Sequence, residues 1–369
     1  MSAQLLAVFA DFGIKDKVAA LVSDNAGNAN LSIRLTAHAL ATPTRPVVAL
    51  RCIPHILNLV VRAGFEVLTG PLQKLKFMVS KLRSSPKDLA TLQSYCEGNE
   101  ETYNKPQTDT ETRWNSTYAL IKSMISMEKS LFQMRDKLDL SLSDSEWHAL
   151  KDLITLLKPF LEATNILSGS KYCSLSQAGF ISDILCDHLR DNLQMKHVGI
   201  ESMLEKLETY QNSIKDQALL PSFFDPRCYG KLSNNQVKLS LKSITPLLKK
   251  EDPKRVQKEV SFFEKAFQDD DTTFSKEYPE LQAYMNSPKC RWEDDPLDWW
   301  ARNEKAFPNI AQLARNYLAM LASTVPSEQA FSAAGNTVTD HRNRLASNTI
   351  ESLMVTQGRL RFLRERKTE

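Results

Sequence analysis

Apolar positions near the start of the chain follow two different spacings in turn. Short continuous apolar runs cover 17–23 and 45–52, and stretches with helical spacing cover 3–14, 28–40 and 55–65. After the first helical stretch, the order strand, helix, strand, helix predicts a βαβ unit, in which a right-handed crossover joins two parallel strands. Two strands do not make a stable sheet alone.

Helical spacing dominates the middle of the chain, from about residue 71 to residue 280. Apolar residues recur there near i, i+3, i+4 and i+7. One helix is predicted to begin near Ser143 and to end before Gly169, because both are typical capping residues. A polar loop at 97–114 and a turn-rich segment at 220–230 interrupt the pattern. The sequence therefore predicts a large all-α block.

The predicted fold is mostly α with a small α/β part, divided into three units. These cover 1–70, 71–280 and 281–369, and the acidic segment at 268–280 is predicted to be a solvated linker. A length of 369 residues exceeds what one core usually reaches. The composition, with 42% hydrophobic residues, 25% charged residues and only 11 glycines, argues against global disorder and against a turn-rich all-β fold.

Charge and cysteine usage indicate the compartment more than the activity. A net charge of +3 is too small to predict nucleic-acid binding by itself. Six widely spaced cysteines and the absence of an N-terminal apolar signal favour reduced thiols in the cytosol or nucleus. No apolar run approaches the ~20 residues that a membrane span needs. We therefore expect a soluble intracellular protein with no membrane partner.

Two carboxylates stand where a function and a simple structural role both explain them. Asp24 follows the first apolar run, where open α/β sheets place ligand-binding groups. It or Asn25 can instead cap the next helix, and composition alone favours the cap. Glu328 lies in a small apolar turn, and a place in the first turn of a helix capped by Thr324 and ended by Gly335 explains it without catalysis.

Other candidate residues carry similarly divided interpretations. Cys52 and His55 have half of a zinc-site spacing, but no second pair follows at the distance a zinc finger needs. Arg113 can reach a phosphate, while Trp114 is either a core anchor, which is favoured, or a stacking face. The basic stretch at 359–369 predicts a solvated helix face or a phosphate contact. Signatures of common hydrolases, kinases and dehydrogenases are absent from the sequence.

Four stretches of the chain together resemble the hAT superfamily of transposases and their domesticated descendants, which include BED-type zinc-finger proteins. They are "SDNAGNAN", "RCIPHILNLVV", "TRWNSTYAL" and the segment from "DPLDWWARNEKAFP" to "TVTDHRNRL". The last segment resembles the hAT C-terminal dimerisation region. The resemblance covers essentially the whole chain and implies an RNase H-like fold interrupted by a large all-α insertion. That fold agrees with the predicted βαβ unit and helical block.

The resemblance also implies a catalytic site of two Asp and one Glu, which hold Mg²⁺ or Mn²⁺ for DNA strand cleavage and transfer. Asp24 resembles the second Asp and Glu328 resembles the final Glu, so these two would be catalytic residues and metal ligands. The first Asp has no counterpart, since Asp11 and Asp16 lie in or after a helical stretch. Only 23 residues precede Asp24, fewer than the family's preceding strands and helix need.

The same resemblance implies contacts with DNA. Cys52 and His55 resemble a Cys-x-x-His motif near the catalytic site of the family. Arg113 and Trp114 resemble its Arg-Trp motif, whose Trp helps to hold DNA at the cleavage point. The N-terminal BED zinc finger of full-length relatives has no counterpart in the sequence.

We therefore expect a truncated or domesticated descendant with two of the three acids, no enzymatic activity and no cofactor. The expected function is self-association through about residues 290–367, with DNA or chromatin as a second partner and a nuclear location. The residues expected at the contact between copies are Trp299, Trp300, Phe307, Leu313, Tyr317 and Leu318. The alternatives are an active metal-dependent transposase or nuclease whose first Asp lies outside this sequence, and a gene model that begins too late.

Overall fold

The structure is a computed structural model, and it describes residues 1–110, 113–138, 141–248, 278–337 and 345–365. The described chain is mostly helical and contains one small parallel sheet. The predicted fold class, mostly α with a small α/β part, is therefore confirmed. The RNase H-like fold and the division into three units stay predictions.

The sheet has the predicted βαβ form. Strand β1 (Ala20–Ser23) pairs in parallel with β2 (Val48–Arg51), with Ala20 opposite Val48 and Ser23 opposite Arg51. Helix α2 (Gly27–Leu40) connects them, and α1 (Ser2–Asp11) packs on α2. The sheet does not stand alone, because the Arg51 amide donates to Gln217 Oε1 at 2.6 Å.

A block of helices follows the sheet, as the spacing predicts. Helix α9 begins with a capping box between Ser143 and Glu146, which confirms its predicted start, and ends at Leu167 before Gly169. The block contains α3 (Ile53–Val67), α4 (Thr69–Ser84), α5 (Pro86–Gly98), α6 (Trp114–Ile125), α7 (Glu128–Gln133), α8 (Arg135–Leu138), α9 (Asp144–Leu167), α10 (Ala178–Asp191), α11 (Ile200–Phe224) and α12 (Asn234–Ile244).

The C-terminal part is also helical. It contains α13 (Pro279–Met285), α14 (Pro296–Asn303), α15 (Pro308–Leu318), α16 (Val325–Thr337) and α17 (Ser347–Glu365). Most of the predicted acidic linker at 268–280 lies outside the described residues. Within the described ranges, no helix has the length and apolar character that crossing a membrane requires.

Helix α11 is the central element, with α3, α10 and α15 packed around it. Its N-terminal end approaches α3 closely. A Cβ on Gly64 would lie 2.7 Å from Met203 Sδ, and one on Gly199 would lie 2.8 Å from the Gly64 carbonyl oxygen. Gly199 also has a φ of +74°, a left-handed conformation that side chains disfavour. Two glycines therefore permit this helix contact.

The C-terminal end of α11 is buried under aromatic side chains. The carbonyl oxygens of Phe223 and Phe224 accept hydrogen bonds from Tyr284 Oη and Trp300 Nε1, both at 2.7 Å. Asp225, fully buried just beyond the helix, pairs with Arg227 Nη2 at 2.8 Å. The predicted turn-rich segment at 220–230 is confirmed, since α11 ends within it.

The residues predicted to form the contact between copies belong to this aromatic layer. The structure places these side chains against other parts of the same chain, so their apolar surface is already covered. Their role in self-association stays a prediction. The buried members are Trp300, Phe307, Leu313, Tyr317 and Leu318, and Trp299 is half-buried.

Replacing Gly199 with Ala should lower the free energy of unfolding by at least about 2 kcal/mol, because the new Cβ meets backbone and the left-handed φ is strained. Chemical denaturation measures this. Gly70→Ala is the matched control, since its Cβ would meet nothing within 4 Å, and it should shift stability by less than about 1 kcal/mol. Equal effects of the two substitutions would contradict the packing account.

Replacing Tyr284 with Phe should lower the free energy of unfolding by about 1–3 kcal/mol, because it leaves the buried Phe223 carbonyl without its donor. Tyr172→Phe is the control, since Tyr172 Oη also donates to a backbone carbonyl at 2.7 Å but from an exposed position. There we expect a change within about 0.5 kcal/mol. Thermal or urea unfolding of the three chains decides the point.

Candidate functional site

The carboxyl ends of the two strands meet the start of α16. The Cys52 amide donates to the Ser23 carbonyl at 2.7 Å, and the Ile53 amide donates to the Ala322 carbonyl at 2.9 Å. Thr324 then places its backbone amide 3.4 Å and its hydroxyl 3.3 Å from Cys52 Sγ. Hydrogen bonds therefore join the ends of the two strands to the residues before α16. Cys52 and Thr324, which meet here, are 272 positions apart in the chain.

A cleft of about 720 Å³ opens beside this junction. Its lining brings together five of the residues singled out from the sequence, which are Cys52, His55, Arg113, Trp114 and Glu328. The remaining lining is mostly polar or small, and it was not anticipated from the sequence. It consists of Pro54, Asn58, Asn115, Thr164, Ser168, Val325, Gln329, Ser332, Ala333 and Asn336.

Glu328 has partners for both carboxylate oxygens. Oε1 accepts from the Thr324 hydroxyl at 3.1 Å, and Oε2 pairs with Arg113 Nη2 at 3.3 Å. The predicted place of Glu328 in the first turn of a helix is confirmed. The prediction that Gly335 ends this helix is wrong, because α16 continues to Thr337. The glycine there keeps helical backbone.

Asp24 does not line the cleft. Its side chain is exposed, and Oδ1 accepts from the Ala26 amide at 3.3 Å, which shapes the turn after β1. The alternative that Asp24 or Asn25 caps α2 is wrong in detail, because the cap residue is Ala26 and no side chain caps that helix. Asp24 thus holds the turn rather than the helix end.

As the described residues place them, Asp24 and Glu328 do not form a ready site for a divalent metal. Glu328 is engaged with Arg113 and Thr324, and Asp24 is turned to its own backbone. Over the ranges that the structure describes, no three His, Cys, Asp or Glu side chains are grouped to hold a metal ion. Cys52 and His55 likewise belong to no such group among the described residues, so the second half of a zinc site is not found there. The arrangement offers an ion pair and hydrogen-bonding groups instead of a set of free carboxylates.

Trp114 forms part of the floor of the cleft. It is 4% exposed and packs edge-on against Tyr118, with 6.1 Å between ring centroids. This agrees with the core-anchor interpretation and leaves no free face for base stacking. Within the described parts of the chain, its Nε1 has no hydrogen-bond partner, and neither do Oδ1 of Asn115 and Oγ1 of Thr164, two residues that line the same cleft. Buried polar atoms without partners are costly, so this floor suits a polar occupant.

The loop that leads to Arg113 is held by one buried acid that the sequence analysis missed. Asp109 pairs with Lys76 at 2.6 Å and accepts from the hydroxyls of Ser116 and Thr117 at 2.7 and 2.8 Å. Burial raises the pKa of Asp109, but Lys76 and the two hydroxyls lower it by more, so the pKa lies below its ordinary value. Asp109 therefore stays ionised and positions Arg113 and Trp114.

Comparison with known proteins agrees with this arrangement of segments. The model of the hAT family C-terminal dimerisation region matches residues 280–360, from α13 into α17. The model of the ZBED1 RNase-like helical domain matches residues 50–156, from β2 into α9. The two matched segments contribute Cys52, Arg113 and Glu328, which meet in the cleft.

Similar proteins were found in plants and in human. "Putative AC transposase" of Zea mays is 28% identical over 97% of this chain and 50% of its own length. "Putative AC9 transposase" of Zea mays is 26% identical over 97% of this chain and 51% of its own. "Zinc finger BED domain-containing protein 4" of Homo sapiens is 22% identical over 83% of this chain and 29% of its own length. The chain spans about half the length of the two Zea mays relatives. The chain is thus similar to transposases and to zinc finger BED domain-containing proteins, and its C-terminal part matches the hAT family dimerisation region.

Proposed function

We propose that this chain is a transposase-derived protein that acts by self-association and does not transpose DNA. One observation carries the proposal. Of the described side chains in α16 and α17, only that of Thr337 is buried, although both helices carry large apolar residues. Most of this helix pair falls within the segment that matches the hAT dimerisation region. A second copy of the chain is therefore the expected partner.

The exposed apolar residues of these two helices define the proposed contact surface. We call it the α16–α17 surface. Phe331 is 79% exposed, and the other members are also exposed. Covering them would contribute about 25 cal/mol per Å², from which the cost of association is subtracted. The members of the surface are Phe331, Leu353, Val355, Leu360 and Leu363.

Contact with DNA or chromatin and a nuclear location form part of the same proposal. They rest on the relatives, which are named transposases and zinc finger BED domain-containing proteins. On the chain itself, Arg113 at the mouth of the cleft and the exposed Arg359 on α17 are cations that could meet phosphate. No cofactor is required for either contact.

Replacing Phe331 with Glu should weaken self-association about 10- to 100-fold, because a charge replaces an apolar contact of about 1.5–3 kcal/mol. Light scattering and sedimentation over a concentration series measure the change. Phe77→Glu is the matched control, since Phe77 is 54% exposed and also lies within a helix, α4. It should leave association unchanged. A parent chain that is monomeric at micromolar concentration, or equal effects of both variants, would refute the proposal.

The rival function is an active metal-dependent transposase or nuclease. The convergence of Cys52, His55, Arg113, Trp114 and Glu328 in one cleft favours it. The Glu328 carboxylate is already paired with Arg113, and Asp24 lies outside the cleft. Both observations favour the non-enzymatic proposal.

Nicking of supercoiled plasmid with Mg²⁺ or Mn²⁺ separates the two functions. Under our proposal, the parent chain and Glu328→Gln give the same background, with or without metal. Glu208→Gln is the control, because Glu208 is also an exposed acid in an arginine ion pair, at 2.7 Å from Arg190. Metal-dependent nicking that is lost in Glu328→Gln and kept in Glu208→Gln would establish the enzyme instead.

A further inference from the structure

The chain is buried and hydrogen-bonded to the rest of the protein just before Thr324, and it is mostly exposed after it. Before it, Ala322 and Ser323 are buried, and Ala322 is bonded through its carbonyl to the Ile53 amide and through its amide to Ser174 Oγ, at 2.9 and 3.2 Å. After Thr324, the thirteen-residue helix α16 buries one side chain, near its far end. A firmly held segment is thus followed by a helix with little covering.

The face of α16 toward the cleft is polar or small. Cleft-lining residues recur along it at the three- and four-residue spacing of one helix face, from Val325 through Glu328 and Ser332 to Asn336. The large apolar residue of the helix, Phe331, is exposed to solvent. Separating a polar face from a cleft costs little, because water can replace its hydrogen bonds.

Among the described residues, one ion pair joins Arg113, just before α6, to α16 across the cleft. Arg113 Nη2 lies 3.3 Å from Glu328 Oε2, and the two side chains are 68% and 49% exposed. Exposed ion pairs contribute little to stability and are screened by salt. Such a contact can hold a helix in place without locking it.

Two buried residues that line the cleft carry polar atoms without hydrogen-bond partners among the described residues. Trp114 and Thr164 are more than nine-tenths buried, and their indole N–H and hydroxyl have no hydrogen-bond partner among the residues that the structure describes. Both residues line the cleft. If α16 moves away, solvent or a polar ligand can reach these polar groups. The hydrogen bonds gained would offset part of the free energy lost with the contacts of α16.

We infer that α16 is a hinged lid over the cleft, which turns at Thr324 and is latched by the Arg113–Glu328 ion pair. Opening the lid releases Glu328 Oε2 from Arg113 and widens access to the cleft that Trp114 and Thr164 line. The latch is an intrachain contact, so it operates in a single chain and does not depend on self-association. It makes access to the cleft sensitive to ionic strength.

Hydrogen exchange of the α16 amides, followed by mass spectrometry, tests the latch, because a helix released from its contact across the cleft opens locally more often. Arg113→Met keeps the aliphatic part of the side chain but removes the latch charge, and it should raise exchange over 325–337 by about 1.5- to 5-fold. Raising NaCl to about 1 M, where the Debye length is about 3 Å, should produce a similar rise in the parent chain and none in the variant. Arg190→Met is the control, because Arg190 also forms exposed ion pairs.

Two further chains separate a latch from a loss of fold and from self-association. Arg113→Glu combined with Glu328→Arg restores the pair with reversed charges and should return exchange to the parent rate, while each single change raises it. The Phe331→Glu background should show the same pattern if the lid acts within one chain. Exchange of α16 as slow as that of α3 in the parent, or no response to Arg113→Met, would overturn the inference.

Discussion

The cover over the C-terminal end of α11 is the interaction on which the rest of the structure depends. A helix end leaves carbonyl groups without partners, and burying them requires donors from elsewhere. Tyr284 and Trp300 supply these donors to Phe223 and Phe224, across 61 and 76 positions of the chain. The C-terminal helices are thereby joined to the helical block, and the loop up to Thr324 is brought to the strand ends.

This cover also gives the aromatic segment a role within the single chain. Trp300 donates to the end of α11, Tyr317 stacks on Phe224 and Phe307 packs on Trp300, so their burial already stabilises the single chain. Further along, α16 and α17 carry the exposed apolar residues of the proposed contact surface. The segment that matches the hAT dimerisation region thus has an internal role up to Leu318, and the proposed contact with a second copy lies beyond Thr324.

The cleft depends on two separate anchors that meet only in three dimensions. Asp109 holds the approach to Arg113 and Trp114 through Lys76, Ser116 and Thr117. On the other side, hydrogen bonds from Cys52 and Ile53 tie the strand ends to the chain before α16. Because the body of the cleft is held on both sides and α16 is not, motion is expected to concentrate in that helix.

Local features of this protein were determined by its sequence. The capping box at Ser143, the apolar runs that form β1 and β2 and the helical spacing of α3 could be predicted, because each depends on neighbours a few residues away. Motif order likewise indicated that Arg113 and Glu328 belong to one site.

Only the tertiary structure decided what these residues do there. Trp300 and Phe331 are both aromatic residues in helices, yet one is buried over α11 and the other is exposed. Asp24 and Glu328 both follow from the same resemblance, yet only Glu328 reaches the cleft. Asp109 lies in a loop, where no hydrophobic periodicity could indicate its pairing with Lys76. Burial and pairing depend on partners tens to hundreds of positions away, and spacing along one chain does not contain that information.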